Sequence, residues 1–300
     1  MDRREFNRNL IGLGATAALP FGLSSCASQG FRTPTGALVT AVDTHSHVFH
    51  RGLPFVAGRR YTPDYDAFPQ DYYKMLDANG MSHGVIIPIS ILGTNNDYTV
   101  EVLRQSGGRL RGLAVIDPDK DVGKLDALNA AGIVGIRLNL IGKPVPEVRN
   151  SAWREVIAEC RRLDWQIEVY DEAVRLSQTV TPLVDSGAKV VIDHFGKPDA
   201  NLGINDPGFK YLVGLGRTRQ VWVKLSGPYR SSDAVAAAAA PVLLREFGPE
   251  RLVWASDWPH TGYEGKVAYT KLRAQLDSWV PDKDERHIVL ADTPAKLFRF

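Results

Sequence analysis

The segment 37–47, Ala-Leu-Val-Thr-Ala-Val-Asp-Thr-His-Ser-His, decides the fold, because an apolar run passes directly into a polar cluster there. The same transition recurs three times along the chain, at Gly135-Ile136-Arg137-Leu138-Asn139, Asp193-His194-Phe195-Gly196 and Ser256-Asp257-Trp258-Pro259-His260. Each apolar run is typical of a buried parallel strand. In a (β/α)8 barrel the carboxyl ends of all strands meet at one face. The spacing therefore predicts that residues far apart in the sequence share one pocket.

Eight strand-like segments alternate with helix-like segments between residues 37 and 300. The predicted strands are 38–42, 84–89, 110–116, 134–138, 166–170, 189–192, 221–225 and 251–255. Alternation of this kind predicts a parallel sheet with right-handed crossovers. The alternative is a doubly wound open sheet, but no Gly-x-Gly-x-x-Gly follows the first strand, so its dinucleotide-binding form lacks the usual motif. We therefore predict an α/β fold, a (β/α)8 TIM barrel over 37–300 with a C-terminal helix within Arg286–Phe300.

The composition is that of an ordinary globular protein with room for one large core. The chain has 300 residues, of which 44% are hydrophobic and 23% charged, and its formal net charge is +2. A barrel of this kind takes about 250 residues, which leaves room for a leader. The body of the chain has no dense basic block, so we expect no nucleic-acid partner. Only two cysteines are present, which excludes a disulfide framework.

Residues 1–28 are predicted to be an export leader rather than part of the fold. Arg3 and Arg4 precede an apolar, Gly/Ala-rich stretch over 10–23, which is the pattern of a twin-arginine signal. The Leu-Ser-Ser-Cys that follows puts Cys26 where a bacterial lipoprotein carries its lipid, so we expect an exported protein, periplasmic or anchored to the membrane. The alternative is an ordinary cleaved leader in which Cys26 has no role. The stretch is too short for a good membrane-spanning helix.

Three histidines and one aspartate at predicted strand ends are the candidate catalytic residues. His45 and His47 flank a single residue, so on a strand both point the same way and could share one metal ion or one substrate oxygen. His194 follows the sixth predicted strand and could polarise a carbonyl group. Asp257 follows the eighth and could take a proton from water as a general base. The alternatives are hydrogen-bonded core histidines and a structural or helix-capping aspartate.

Further polar residues near these strand ends are candidates for substrate binding. Arg137 ends the fourth predicted strand, and Arg230 follows the seventh. A guanidinium suits a substrate carboxylate and a protein carboxylate equally, so a structural salt bridge is the alternative for each. Tyr170 ends the fifth predicted strand and either donates a hydrogen bond or packs. The long loop over 48–67, which contains Tyr61, is expected to be a substrate lid or a packed surface excursion.

The quoted motifs together resemble the amidohydrolase superfamily. The resemblance is carried by the segments Asp43-Thr44-His45-Ser46-His47-Val48-Phe49 and Gly58-Arg59-Arg60-Tyr61-Thr62-Pro63 and by the clusters that contain Arg137, His194 and Asp257. It spans about residues 37–300 and is greatest toward the 2-pyrone-4,6-dicarboxylate lactonase branch. It implies a distorted (β/α)8 barrel that hydrolyses a cyclic ester, either a carboxylated or a sugar-derived lactone.

The resemblance also implies roles for individual residues. Asp257 would activate water, and the histidines would surround the scissile carbonyl or, in metal-dependent relatives, ligate a zinc ion; these are His45, His47 and His194. The residues that would hold the substrate's carboxylates or ring oxygens are Arg137, Arg230, Tyr170 and Tyr61. Lys143 is the nearest cation where the branch has a further arginine. Because Arg137 stands where binuclear relatives have a carboxylated lysine, we expect no cofactor or a single zinc ion.

Three functions are compatible with these residues. The leading hypothesis is an exported lactonase that acts on a small carboxylated or sugar lactone. The second is a zinc-dependent decarboxylase or amide hydrolase on the same barrel. The third is a lipoprotein that binds a small acid outside the cytoplasm without catalysis. A binding protein has no need for a base and several imidazoles in one place, so Asp257 and the three histidines argue against the third.

Overall fold

The computed structural model describes residues 30–300, in which eight parallel strands form a nearly closed barrel in sequence order. The predicted leader and Cys26 lie outside the described residues. The strands are β1 Val42–Ser46, β2 His83–Ile86, β3 Leu110–Ala114, β4 Ile133–Asn139, β5 Gln166–Tyr170, β6 Lys189–Ile192, β7 Val221–Leu225 and β8 Leu252–Trp254. Neighbouring strands pair in parallel from β1 to β8. The predicted eight-stranded α/β architecture is confirmed.

The helices cover the outside of the barrel. They are α1 Pro69–Ala78, α2 Asp97–Gln105, α3 Leu125–Ala130, α4 Ser151–Arg162, α5 Leu176–Asp185, α6 Pro207–Gly214, α7 Asp233–Phe247, α8 Tyr269–Trp279, α9 Lys283–His287 and α10 Thr293–Leu297. Their inward faces bury large apolar side chains against the strands, for example Leu76, Val156 and Leu243. Burial of such side chains stabilises the fold by about 1.5–3 kcal/mol each. Within residues 30–300, no helix has both the length and the apolar character to cross a membrane.

The amino-terminal end of the barrel is filled by apolar side chains. Val42, Val85 and Leu113 belong to a buried cluster that also contains Phe298 and Phe300 from the end of the chain. These last two residues follow α10 and pack under the barrel. The polar residues lie at the opposite end, because they occupy the carboxyl ends of parallel strands.

The barrel closes between β1 and β8 through side chains as well as backbone. Asp43 accepts hydrogen bonds from Ser256 N at 2.8 Å, Ser256 Oγ at 2.6 Å and Tyr269 OH at 2.9 Å. Beyond β8 the backbone N–H of Asp257 donates to His45 O at 2.9 Å. This irregular junction carries residue 257 past the end of β8 and back toward β1. It therefore puts the Asp257 side chain next to the predicted histidines.

Two elements differ most from the prediction. The first strand begins at Val42 rather than at residue 38, because pairing with β2 begins at Val42 and His83. As a result, His45 lies within the strand and is fully buried. The predicted final helix is instead α9 and α10 joined by a π-helical turn at Ile288–Asp292. The predicted limits of β5, β6 and β7 agree with the structure, whereas β2 and β3 end three and two residues before their predicted ends.

Gly208 allows α6 to pack directly on the turn that follows β5, and replacing it tests that contact. A Cβ on Gly208 would lie 2.0 Å from the carbonyl carbon of Ala173, whereas a Cβ on Gly214 of the same helix would meet nothing within 4 Å. We expect Gly208→Ala to lower the free energy of unfolding by about 1–3 kcal/mol. Gly214→Ala is the matched control and should change it by less than about 1 kcal/mol, in the stabilising direction. Denaturant unfolding followed by circular dichroism measures both, and equal effects would refute the packing argument.

Candidate functional site

Four predicted residues from three strand ends form one buried cluster at the carboxyl-terminal end of the barrel. The Nε2 atoms of His45 and His47 are 3.3 Å apart. Asp257 Oδ1 lies 3.7 Å from His45 Nε2 and 3.6 Å from His47 Nε2. The rings of His45 and His194 have centroids 5.0 Å apart. The structure thus brings together residues that are more than two hundred positions apart in the chain.

Asp257 has two carboxylate oxygens with different surroundings. Its Oδ2 accepts hydrogen bonds from Tyr229 OH at 2.7 Å and from Arg230 Nε at 2.8 Å. Its Oδ1 is buried, faces the histidines and has no hydrogen-bond partner among the described residues. Burial by itself would raise the pKa of Asp257, but the charge of Arg230 holds that pKa well below its usual range. Asp257 is therefore an ionised carboxylate with one free oxygen.

The backbone is strained at two of these residues. Asp257 has a φ of 60° and His194 a φ of 50°, which is the left-handed region that residues other than glycine rarely adopt. Such conformations cost on the order of 1–3 kcal/mol each and are concentrated at functional sites. At both positions the strained residue follows a strand and turns its side chain back over the barrel mouth.

The histidines are held by partners on their far sides. His47 Nδ1 lies 2.8 Å from Ile87 O, and because a carbonyl only accepts, this nitrogen carries the proton. His194 Nδ1 lies 2.9 Å from Ser226 Oγ, while its Nε2 points toward Asp257 without a hydrogen-bond partner among the described residues. Burial lowers the pKa of His194 to about 3 and that of His45 well below its usual value. These two imidazoles are therefore neutral near pH 7.

Beneath the histidines lies a buried ionic cluster that the sequence analysis did not find. Lys224 of β7 contacts Glu168 of β5, and its Nζ lies 3.3 Å from Asp193 Oδ1. Arg137 of β4 completes the cluster, with its Nη2 3.2 Å from Asp193 Oδ2 and its Nε 3.4 Å from Glu168 Oε1. Burial, together with the charge of Asp193, raises the pKa of Glu168 to about 8. The sequence contained one signal of this cluster: a single charged residue inside each of two apolar strands, Glu168 in β5 and Lys224 in β7.

The predicted substrate-binding residues occupy different depths. Arg137 is buried in the ionic cluster, so substrate contact by Arg137 stays a prediction. Arg230 lies nearer the mouth, on Asp257, and its Nη1 is 3.4 Å from Tyr170 OH. The Tyr170 ring packs edge-on against His194 with centroids 4.9 Å apart.

The two remaining predicted residues lie on loops around the mouth. Tyr61 belongs to the loop over 48–67 and is half-buried in a small apolar cluster with Phe49. The predicted lid loop thus packs down over the barrel, and a bridge between Phe49 and Ala67 closes its base. Lys143 is exposed after β4, and its ammonium makes no ion pair in the described part of the chain. Partial burial and the charge of Arg60 lower the pKa of Lys143.

Two overlapping groups of residues could hold a metal ion by distance. One is His45, His47 and Asp257, and the other is His45, Asp193 and His194. In the first group the three facing atoms are 3.3–3.7 Å apart, and ligands of a tetrahedral zinc ion at about 2.0–2.2 Å are separated by about 3.3–3.6 Å. The hydrogen bonding of His45 does not suit a zinc ligand, however. Its Nδ1 lies 3.0 Å from the Lys224 ammonium, which can only donate a hydrogen bond.

The comparisons with known proteins agree on one family. A family model described as amidohydrolase matches residues 42–300. A 4-sulfomuconolactone hydrolase from Hydrogenophaga intermedia is 31% identical over 85% of this chain and 88% of its own length. A 2-pyrone-4,6-dicarboxylate hydrolase from Comamonas testosteroni is 30% identical over 89% of this chain and 92% of its own. A solved structure from Acinetobacter baumannii is named a probable 2-pyrone-4,6-dicarboxylic acid hydrolase with citric acid bound. It superposes with a TM-score of 0.84 and is 34% identical, and the match covers 87% of this chain and 100% of that chain.

Removing the Arg230 charge tests the electrostatics of Asp257. A neighbouring cation favours the ionised carboxylate, so Arg230→Met should raise the pKa of Asp257. We expect the variant carboxylate to take up its proton at a higher pH than the wild-type carboxylate. Carbon-13 NMR of labelled aspartate carboxyls measures this, with Asp257→Asn identifying the signal. Arg245→Met, on exposed α7 surface, is the control, and an unshifted Asp257 in Arg230→Met would contradict the assignment.

Proposed function

The chain belongs to the amidohydrolase family and is a hydrolase, and we propose that it opens the cyclic ester of a small carboxylated lactone. The observation that carries this proposal is the asymmetry of Asp257, whose free Oδ1 faces the histidines while Oδ2 is held by Arg230. The names of the relatives support the substrate class, because two of them are hydrolases of sulfonated or carboxylated lactones. The citric acid in the Acinetobacter baumannii structure shows that a relative accommodates a polycarboxylate.

The first step is the activation of water by Asp257. A water molecule hydrogen-bonded to the free Oδ1 would give its proton to that oxygen as its own oxygen attacks the lactone carbonyl carbon. The carbonyl electron pair moves onto the carbonyl oxygen, which becomes an oxyanion. The positions of His45 and His194 around the same space suit them to donate hydrogen bonds to that oxygen. Neutral imidazoles that are already in place stabilise the charge without reorganisation.

The second step opens the ring. The oxyanion collapses, the bond between the carbonyl carbon and the ring oxygen breaks, and the proton held by Asp257 passes to the departing ring oxygen. The product carries one new carboxylic acid and one new hydroxyl group, and Asp257 returns to its ionised state. One water molecule is consumed and no redox equivalent is needed.

Arg230 is the best-placed residue to recognise a substrate carboxylate. Arg137 is already neutralised by Glu168 and Asp193, whereas Arg230 lies nearer the mouth with a single carboxylate partner. A substrate carboxylate that draws the guanidinium away from Asp257 would weaken the interaction that keeps the pKa of Asp257 low. Asp257 would then become a stronger base only when the substrate is bound. Lys143 at the rim is available for a second negative group.

Asp257→Asn tests the proposed base. The amide keeps the size of the side chain and can still accept a hydrogen bond from Arg230, but it cannot take a proton. We expect turnover of 2-pyrone-4,6-dicarboxylate and related carboxylated lactones to fall by about 10²–10⁴-fold with thermal unfolding unchanged. The matched control is Asp119→Asn, an exposed aspartate after β3, which should retain full turnover. Near-normal hydrolysis by Asp257→Asn would disprove the assignment.

We also propose that residues 1–28 export the protein and that Cys26 anchors it. The support is the twin arginine at residues 3 and 4, the apolar stretch and the cysteine that follows. Replacing Arg3 and Arg4 together by Lys should leave the protein in the cytoplasm of a bacterial host. Cys26→Ser should preserve export but move the protein from the membrane fraction to the soluble periplasmic fraction. Cell fractionation and immunoblotting measure both, and unchanged distributions would contradict the proposal.

A further inference from the structure

Lys224 is a fully buried lysine that donates hydrogen bonds to Glu168 and to His45 and forms an ion pair with Asp193 in the barrel interior. Its Nζ contacts Glu168 Oε2, lies 3.3 Å from Asp193 Oδ1 and lies 3.0 Å from His45 Nδ1. An ammonium group has three donors and no acceptor. Its hydrogen bond to His45 therefore requires a lone pair, rather than a proton, on His45 Nδ1.

The protons of the two neighbouring histidines then follow from the two ends of a hydrogen-bonded chain. At one end Lys224 can only donate, so a neutral His45 carries its proton on Nε2. At the other end Ile87 O can only accept, so a neutral His47 carries its proton on Nδ1. Between them the two Nε2 atoms are 3.3 Å apart, and this assignment makes one a donor and the other an acceptor. The bonds at both ends of the chain therefore agree on where the protons lie, which is on Nε2 of His45 and on Nδ1 of His47.

We propose that Lys224 is a positioning residue that fixes His45 as the tautomer with its proton on Nε2, and that it thereby excludes zinc from the His45–His47–Asp257 site. A metal ligand must offer a lone pair on the nitrogen that faces the ion. For His45 Nε2 to do so, the proton would have to move to Nδ1, where it would point at the Lys224 ammonium 3.0 Å away. Two donors would then face each other in a buried site.

Removing Lys224 would favour the opposite arrangement. His45 Nδ1 also lies 3.3 Å from Asp193 Oδ1 and 3.4 Å from Glu168 Oε1. If the lysine were absent, an Nδ1 proton could donate to one of these carboxylates and leave Nε2 free. A carboxylate behind a histidine is the usual support of a zinc ligand. The same barrel can therefore hold either a hydrogen-bonding histidine or a metal-binding one, and Lys224 decides between them.

This inference rests on the proposed function only in giving the Nε2 proton of His45 a use: with a lactone bound, that proton would be donated to the carbonyl oxygen instead of to His47 Nε2. Tautomer and metal affinity are properties of the protein without substrate. They can be correct even if the substrate is not a lactone. The tests below therefore use zinc alone and no substrate.

The first test is nitrogen-15 NMR of the histidine rings of the full chain, with His45→Gln identifying the His45 signals. We expect the wild-type His45 proton on Nε2 and, in Lys224→Met, on Nδ1. The second test is titration with zinc against a competing chelator. Lys224→Met should bind zinc on the order of 10–100-fold more tightly than the wild type. Lys189→Met is the matched control, because Lys189 lies on the neighbouring strand β6 and pairs with Asp164 away from the histidines.

Because Lys224→Met leaves two buried carboxylates with one fewer cation, a second variant protects the test against loss of folding. Glu168→Gln/Lys224→Met removes the ammonium together with the ionisable carboxyl group that it contacts, and keeps Asp193 as the partner for His45. The same gain in zinc affinity is expected. An Nδ1 proton on wild-type His45 would overturn the proposal, as would equal zinc affinity in the wild type and both variants.

Discussion

The buried pairing of Lys224 with Glu168 and Asp193 is the constraint on which the rest of the site depends. A lysine ammonium without partners costs several kcal/mol to bury, so the barrel must supply carboxylates within reach. The carboxylates come from β5 and from the end of β6, and Arg137 of β4 balances the second one. Four adjacent strand ends are thereby tied together under the histidines. The base of the pocket is therefore ionic rather than apolar.

Above this base the site requires departures from regular barrel geometry. Asp43 joins β1 to the residues after β8, and the chain then turns through a positive φ at Asp257. His194 turns in the same way after β6. The strain therefore has a clear result, which is an aspartate and an imidazole that face each other across the mouth.

The sequence predicted the scaffold better than the base of the site, for physical reasons. The buried strands β5, β6 and β7 are bounded by polar turns, and their limits were correct. The limits of β1 were wrong because its polar residues seemed to follow the strand, whereas they lie within it and bond to β2 and to residues at and after β8. Glu168 and Lys224 were missed because one charge in an apolar strand gives no indication of its partner. The bond between Lys224 and His45 joins residues 179 positions apart, and only the closed barrel shows it.

The contact between Arg230 and Asp257 gives the proposed mechanism a means of selecting its substrate. With no ligand, the guanidinium stabilises the carboxylate and makes it a weak base. A neutral lactone would leave that contact intact and would meet a base with little affinity for a proton. A carboxylated lactone competes for the guanidinium, so binding its charge and strengthening the base are one event. The substrate's charge would thus be required for turnover as well as for affinity, which couples recognition to chemistry through a single side chain.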